Sequence, residues 1–154
     1  MEQLLALLKE KGLTLGSIES MTGGLFAARV TDVSGASKVF KGSLVTYQVA
    51  AKEELLGISP NLISKYDVVS KEVAEEMATK GRKTLKVDVC VSITGNAGPT
   101  TEPGKEEVGI SYIGVAYLDK CVVTRHKFSG DRKQIREQAV LAMQEEVKKI
   151  INLK

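Results

Sequence analysis

Tryptophan is absent and phenylalanine occurs only three times in 154 residues, so the chain lacks the aromatic platforms on which single-stranded nucleic acid stacks. An excess of one charge is missing too. The 22 basic residues stand against 19 acidic ones, and a formal net charge of +3 is too even to indicate a polyanionic partner. No apolar run approaches membrane-spanning length. The amphipathic segment Met1 to Lys11, which carries Glu2 and Glu10, does not have the basic-then-apolar order of a signal peptide. The two cysteines, Cys90 and Cys121, lie in apolar runs and read as buried free thiols rather than a disulfide. With His126 the only histidine, nothing spaces Cys, His and carboxylates as a metal site requires. These absences lead us to expect a cytoplasmic globular protein with no metal, no cofactor and neither nucleic acid nor membrane as partner.

What is present is 43% hydrophobic and 27% charged residues, enough for one domain with a true core, taken as residues 1–154. The pattern alternates. Leu4, Leu5, Leu7 and Leu8 mark a helix that ends near Gly12, and Leu13 to Glu19 reads as a strand. A helix from Gly23 to Val33, a turn at Ser34 to Ser37 and a strand from Val39 to Tyr47 follow. Val49 to Leu56 returns to helical spacing, and Ser59-Pro60 opens a short helical piece through Ile63. Ser70 is a candidate N-cap for a long helix with Val73, Met77, Gly81 and Leu85 on one face. Val87 to Ile93 is a near-continuous apolar run of the kind buried on both faces of a sheet. A glycine-rich turn, Thr94 to Pro99, leads into a polar loop, Thr100 to Glu107. Val108 to Leu118 and Cys121 to Phe128 form a hairpin around Asp119-Lys120, and Arg132 to Ile151 is a final helix. Helices interleaved with strands, then a hairpin, predict a single-domain α/β fold: one mixed sheet flanked by helices.

The chemistry concentrates in Glu19-Ser20-Met21-Thr22-Gly23-Gly24. A strand, a sharp turn and a helix would expose the Ser20 hydroxyl at a strand's carboxyl end, where ligands collect in open α/β sheets. The helix start would offer free N–H groups to an anion or a developing oxyanion. A second turn, Gly95-Asn96-Ala97-Gly98-Pro99, follows another strand and would wall the same pocket if the two strands are parallel. Ordinary turn chemistry explains either turn alone. Neither is a phosphate-binding P-loop, since no Gly-Lys-Ser/Thr is present. Lys52, with Tyr47 before it, is a candidate general base, because a serine–lysine pair is a recurrent form of serine activation. From spacing alone, a solvated Lys52 and a half-buried strand Tyr47 are the simpler reading. His126, between Arg125 and Lys127, reads as packing or surface rather than catalytic.

The hexapeptide resembles the Glu-Ser-Cys-Thr-Gly-Gly signature of the CinA C-terminal domain family, which includes stand-alone nicotinamide-mononucleotide deamidases. The resemblance continues, in order, through Thr31 to Ser37, Val45-Thr46-Tyr47, Ala51-Lys52, Leu56-Gly57, Val69-Ser70, Ala74 to Ala78, Ile93-Thr94-Gly95, Ala97-Gly98-Pro99, Val108-Gly109, Phe128 to Arg132 and Ile135-Arg136. It implies the family fold and hydrolysis of nicotinamide mononucleotide to nicotinate mononucleotide and ammonia without a metal. It also implies Ser20 as nucleophile, Lys52 as base, Tyr47 beside them, and Thr22, Gly23, Gly24, Gly95, Ala97 and Gly98 around the substrate. The implied partner is a small-molecule pyridine nucleotide, with a homo-oligomer left open.

Three positions and one loop depart from the family pattern. Val49 stands where an asparagine is usual in Tyr-Ser-Asn-x-x-Lys, Met21 stands at the usual cysteine, and Asn96 stands where an apolar residue is common. Thr100 to Glu107 lacks the usual Gly-Gly and the proline before Val-Gly. Losing a polar contact at position 49 is worth on the order of 1–3 kcal/mol. Deamidation weaker than in relatives is therefore expected, and the alternative is a weakened or non-enzymatic nucleotide-binding or interaction protein.

Overall fold

A computed structural model describes residues 1–153; Lys154, the last residue of the expected domain, lies outside them. Helix α1 (Glu2–Lys11) precedes strand β1 (Leu15–Glu19), α2 (Leu25–Thr31), a 3-10 turn at Ala36–Lys38 and β2 (Phe40–Val45). Three helices follow, α3 (Val49–Leu56), α4 (Pro60–Tyr66) and α5 (Lys71–Leu85), then β3 (Val89–Gly95). The chain closes with the hairpin β4 (Ile110–Tyr117) and β5 (Lys120–Lys127) and the long α6 (Arg132–Asn152). The predicted α/β architecture is thus found, and its sheet is mixed, with order β2-β1-β3-β4-β5. β1 pairs parallel with β2 and β3, while β4 and β5 are antiparallel.

Several strand ends differ from the expected bounds because side chains replace ladder bonds there. The backbone N–H and hydroxyl of Thr14 both donate to Asp88 Oδ2 at 2.8 Å, and Asp88 N–H donates back to Thr14 Oγ1. This clasp joins the entries of β1 and β3 at Thr14 and Asp88, while Leu13 N–H and Val87 N–H donate to Leu8 O and Arg82 O at the ends of α1 and α5. Strand β2 stops at Val45 rather than Tyr47, because the carbonyls of Thr46 and Tyr47 turn toward Lys52. The hairpin turns at Leu118-Asp119 instead of Asp119-Lys120, with Leu118 at φ 57°.

Alternation along β3 divides the interior. Val89, Val91 and Ile93 enter a core built with α1, α2 and α6, and Ile18 and Cys90 enter a second core with α5 and the segment after α3. Helix α5 approaches the sheet closely because small residues face it. A Cβ on Gly114 would lie 2.8 Å from Ala74 O and from Ser92 Oγ, which itself donates to Ala74 O at 2.6 Å. The expected Ser70 cap is present, accepting from Val73 N–H, and Asp131 with Gln134 forms a reciprocal capping box on α6. From β1 the chain moves to β2 on one side, then crosses back to β3 on the other. The carboxyl end of β1 is the point where the strand order reverses, and Ser20 follows it directly.

Candidate active site

Ser20 sits in the turn between β1 and α2, 8% exposed, at the edge of a cavity of about 710 Å³. That size suits a small organic ligand. The turn after β3 reaches the same cavity, with Thr94, Gly95, Asn96 and Ala97 in its lining. The two turns singled out in the sequence therefore do share one site.

Lys52 comes from the first half of α3 but is not solvated. Its side chain is fully buried, and its Nζ donates to Thr46 O at 2.6 Å, Tyr47 O at 3.3 Å and Ser20 Oγ at 3.0 Å. Burial lowers its pKa from the ordinary 10.5 to about 8, because the charged form loses its hydration. The geometry suits either protonation state. An ammonium uses three protons for three oxygens. A neutral amine gives two protons to the carbonyls and turns its lone pair to the Ser20 hydroxyl.

The turn is braced from two sides. On one side is Glu19, wholly buried. Its Oε1 accepts from Thr22 Oγ1 (2.7 Å) and Phe26 N–H (3.0 Å), and its Oε2 from Ala27 N–H (3.1 Å) and Ser43 Oγ (3.2 Å). On the other is Arg136 of α6, which donates to the carbonyls of Met21 (3.1 Å) and Thr22 (2.7 Å). This corrects the expectation of a helix start with free donors. The first turn of α2 is already occupied by the chain's own carboxylate.

The remaining candidates separate by geometry. Gly95 and Ala97 line the cavity, and the absence of a side chain at Gly95 leaves room for Met21 Sδ and Ser111 Oγ. Thr22, Gly23, Gly24 and Gly98 are not in the lining. Thr22 is buried against Glu19, Gly23 and Gly24 shape the turn at φ 59° and 99°, and Gly98 packs on Val108. Tyr47 is 56% exposed rather than half-buried; its hydroxyl accepts from Arg132 Nη2 at 3.0 Å, and it serves the buried amine through its carbonyl. Asn96 Oδ1 accepts from Gly98 N–H, so that carboxamide oxygen is committed within its own loop. His126 keeps to β5, stacked on Phe128 and 3.0 Å from Thr124 Oγ1. Cys90 is buried and Cys121 only partly so, and both are free. Among the described residues no group of three His, Cys, Asp or Glu could hold a metal, and no helix is long and apolar enough to cross a membrane.

Sequence reasoning gave no separate role to Glu19, Asp67, Lys105, Arg132 or Arg136. Arg132 and Arg136, four apart behind an Asp131 cap, fall on one helical face, a usable signal. Glu19 inside an apolar strand was another. Asp67 and Lys105 left none, since only the fold brings them together.

Comparison with known proteins agrees with this architecture. The family model described as the CinA C-terminal domain matches residues 1–151. A Thermoanaerobacter pseudethanolicus protein, provisionally named competence-damage inducible, is 45% identical over 140 residues, covering 91% of this chain and 34% of that protein. A CinA-like protein of Flavobacterium psychrophilum is 42% identical over 134 residues, 87% of this chain and 32% of its own. The chain thus spans about a third of the length of these curated relatives. Among solved structures, a competence-damaged protein (CinA) superfamily protein from Enterobacter cloacae is 29% identical with a TM-score of 0.91, over 95% of this chain and 86% of that one.

Proposed function

Because the chain belongs to the CinA C-terminal domain family, we propose that it is an amidohydrolase that converts nicotinamide mononucleotide to nicotinate mononucleotide and ammonia through Ser20 and Lys52. The observation that carries this reading is the 3.0 Å contact between Ser20 Oγ and a wholly buried Lys52 amine. A lysine without water is a base near neutral pH, and a serine needs such a base to become a nucleophile.

The neutral amine, its two protons held by Thr46 O and Tyr47 O, takes the Ser20 proton as Oγ bonds to the carboxamide carbon. The carbonyl electrons move onto oxygen. Met21, which lines the cavity beside Ser20, offers its backbone N–H to the oxyanion. When the carbonyl reforms, the C–N bond breaks and Lys52 returns its proton to the departing nitrogen, giving ammonia and an acyl-serine. A water then attacks the ester, passing one proton to Lys52, and the acid leaves as Ser20 regains its proton. Nucleophile and base are both side chains, so the proposed reaction calls for no cofactor. The same reading takes residues 1–154 as one domain, a pyridine nucleotide as ligand and the cytoplasm as location.

The test is ammonia release from nicotinamide mononucleotide by the purified chain. Ser20→Ala and Lys52→Ala should each remove nearly all turnover, since members of one catalytic unit fail together. Substantial turnover in either variant excludes the mechanism. Val49 favours a second reading, a nucleotide binder with weakened chemistry, because it brings an apolar side chain to the cavity wall. Binding of the nucleotide without ammonia release would select that reading.

A further inference from the structure

We propose that Lys105 is a transferable anion clamp: Asp67 holds its ammonium at the cavity wall, and the phosphate of a mononucleotide takes it over on binding. The proposal rests on the reading of the ligand as a pyridine mononucleotide.

Two cationic side chains line the cavity, Lys105 and Arg132, and they are held very differently. Arg132 is fixed at two points, Nη1 on Gly98 O at 2.6 Å and Nη2 on Tyr47 Oη at 3.0 Å. These partners are neutral, so Arg132 contributes a stationary charge. Lys105 lies in the stretch between β3 and β4 that forms only turns, and its side-chain partner is Asp67 Oδ2, at 2.6 Å. The two side chains are 48% and 36% exposed. An ion pair so open to water is weak, and a doubly charged phosphate competes well for its cation. Of the nearby acids, Glu106 is engaged by Tyr112 and Arg125, and Glu102 stands beside Lys105 in the same loop.

Asp67 is built to hold and to release. Its backbone lies at φ 74°, ψ 163°, a region nearly reserved for glycine, and such strain persists where the surroundings impose it. Here they do. Asp67 N–H donates to Ile63 O, Ser70 Oγ donates to Asp67 O, and Val68 N–H donates to Oδ1, each at 2.8 Å. One carboxylate oxygen is thus structural, and the other is left to face Lys105. The fixed partner stays in place when the mobile one leaves.

The opposite signs of two substitutions make this testable. In a Ser20→Ala background, calorimetry would measure binding of nicotinamide mononucleotide and of its dephosphorylated nucleoside. Lys105→Met keeps the stem and removes the charge, and should weaken mononucleotide binding by about tenfold while leaving the nucleoside within about twofold. Asp67→Asn keeps the bond to Val68 and frees Lys105, and should tighten the mononucleotide several-fold without changing the nucleoside. Equal effects on both ligands, no effect on either, or no mononucleotide binding at all would overturn the clamp. Ammonia release by the Ser20-intact protein is scored separately. The binding pattern without ammonia release upholds the clamp and sinks the deamidase, whereas release with no effect of Lys105→Met on kcat/KM does the reverse.

Discussion

Three oxygens surround one nitrogen at Lys52, and that count decides both its chemistry and its stability signature. With the pKa lowered from 10.5 to about 8 by burial, kcat/KM should rise with pH and level off above about pH 8, as the amine loses its proton. Stability has a definite sign as well. Between pH 8 and 10.5 the unfolded chain keeps a proton that the folded chain has released, so folding is favoured increasingly as pH rises through that window. The full effect is about 3 kcal/mol at ~1.4 kcal/mol per unit. Urea unfolding of wild type and Lys52→Met should show the difference growing in favour of wild type from pH 8 to pH 10; a constant difference would contradict it. Val49, the first residue of α3, offers no polar contact to an amide ligand. Val49→Asn, alone and with Gln48→Ser, should raise kcat/KM by roughly tenfold if the departure matters, and an unchanged, vigorous enzyme would show it silent. The pairing of Ser20 with Lys52 was legible through the family resemblance of the motifs that carry them, whereas spacing alone favoured a solvated Lys52. The burial of Lys52 was not legible, because its surroundings come from β1 and the end of β2. Asp67 was invisible for another reason, since a strained φ leaves no mark on an aspartate.

Helices and strands were legible as kinds and less so as lengths. Apolar periodicity marked every strand and most helices, and Ser59-Pro60 marked α4, read as far as Ile63 although it runs to Tyr66. Yet β1 begins two residues later than expected, beside the Thr14–Asp88 clasp, and β2 ends two residues sooner, at the Lys52 contacts. Such side-chain captures compete with the ladder, and no periodicity reports them. The capping of α6 has a functional consequence at the same scale. Asp131 accepts from Gln134 N–H at 2.8 Å, and Gln134 Oε1 accepts from Asp131 N–H at 2.9 Å. This box fixes the helical turn that carries Arg132 to the cavity and precedes Arg136 at the Ser20 turn. Asp131→Ala should reduce stability by about 1 kcal/mol and raise KM more than it lowers kcat, measured by urea unfolding and steady-state kinetics. A stability loss with unchanged kinetics would show that the two arginines do not depend on the cap.

Across the whole molecule, the site exists because one central strand has parallel neighbours reached in opposite directions, and that placement needs α5 close against the sheet. Gly81 of α5 faces the side chain of Ile18, one residue before Glu19, so that a Cβ there would overlap it. Gly81→Ala should cost roughly 1–3 kcal/mol through overpacking, visible as a lowered urea midpoint, and should lower turnover by displacing β1. A variant as stable and active as wild type would mean that the interface yields freely. Sheet class and helix flanking were readable from alternation, whereas strand order was not, because it depends on which face each crossover takes. The Glu19 carboxylate has one more effect, on ligand polarity. By quenching the positive end of α2 from inside, it removes that helix start as a source of pull on a phosphate, while the cations Arg132 and Lys105 line the cavity wall. On the proposed reading of the ligand as a mononucleotide, this distribution of charge would sort head from tail, with the uncharged amide toward Ser20 and the phosphate toward Arg132 and Lys105.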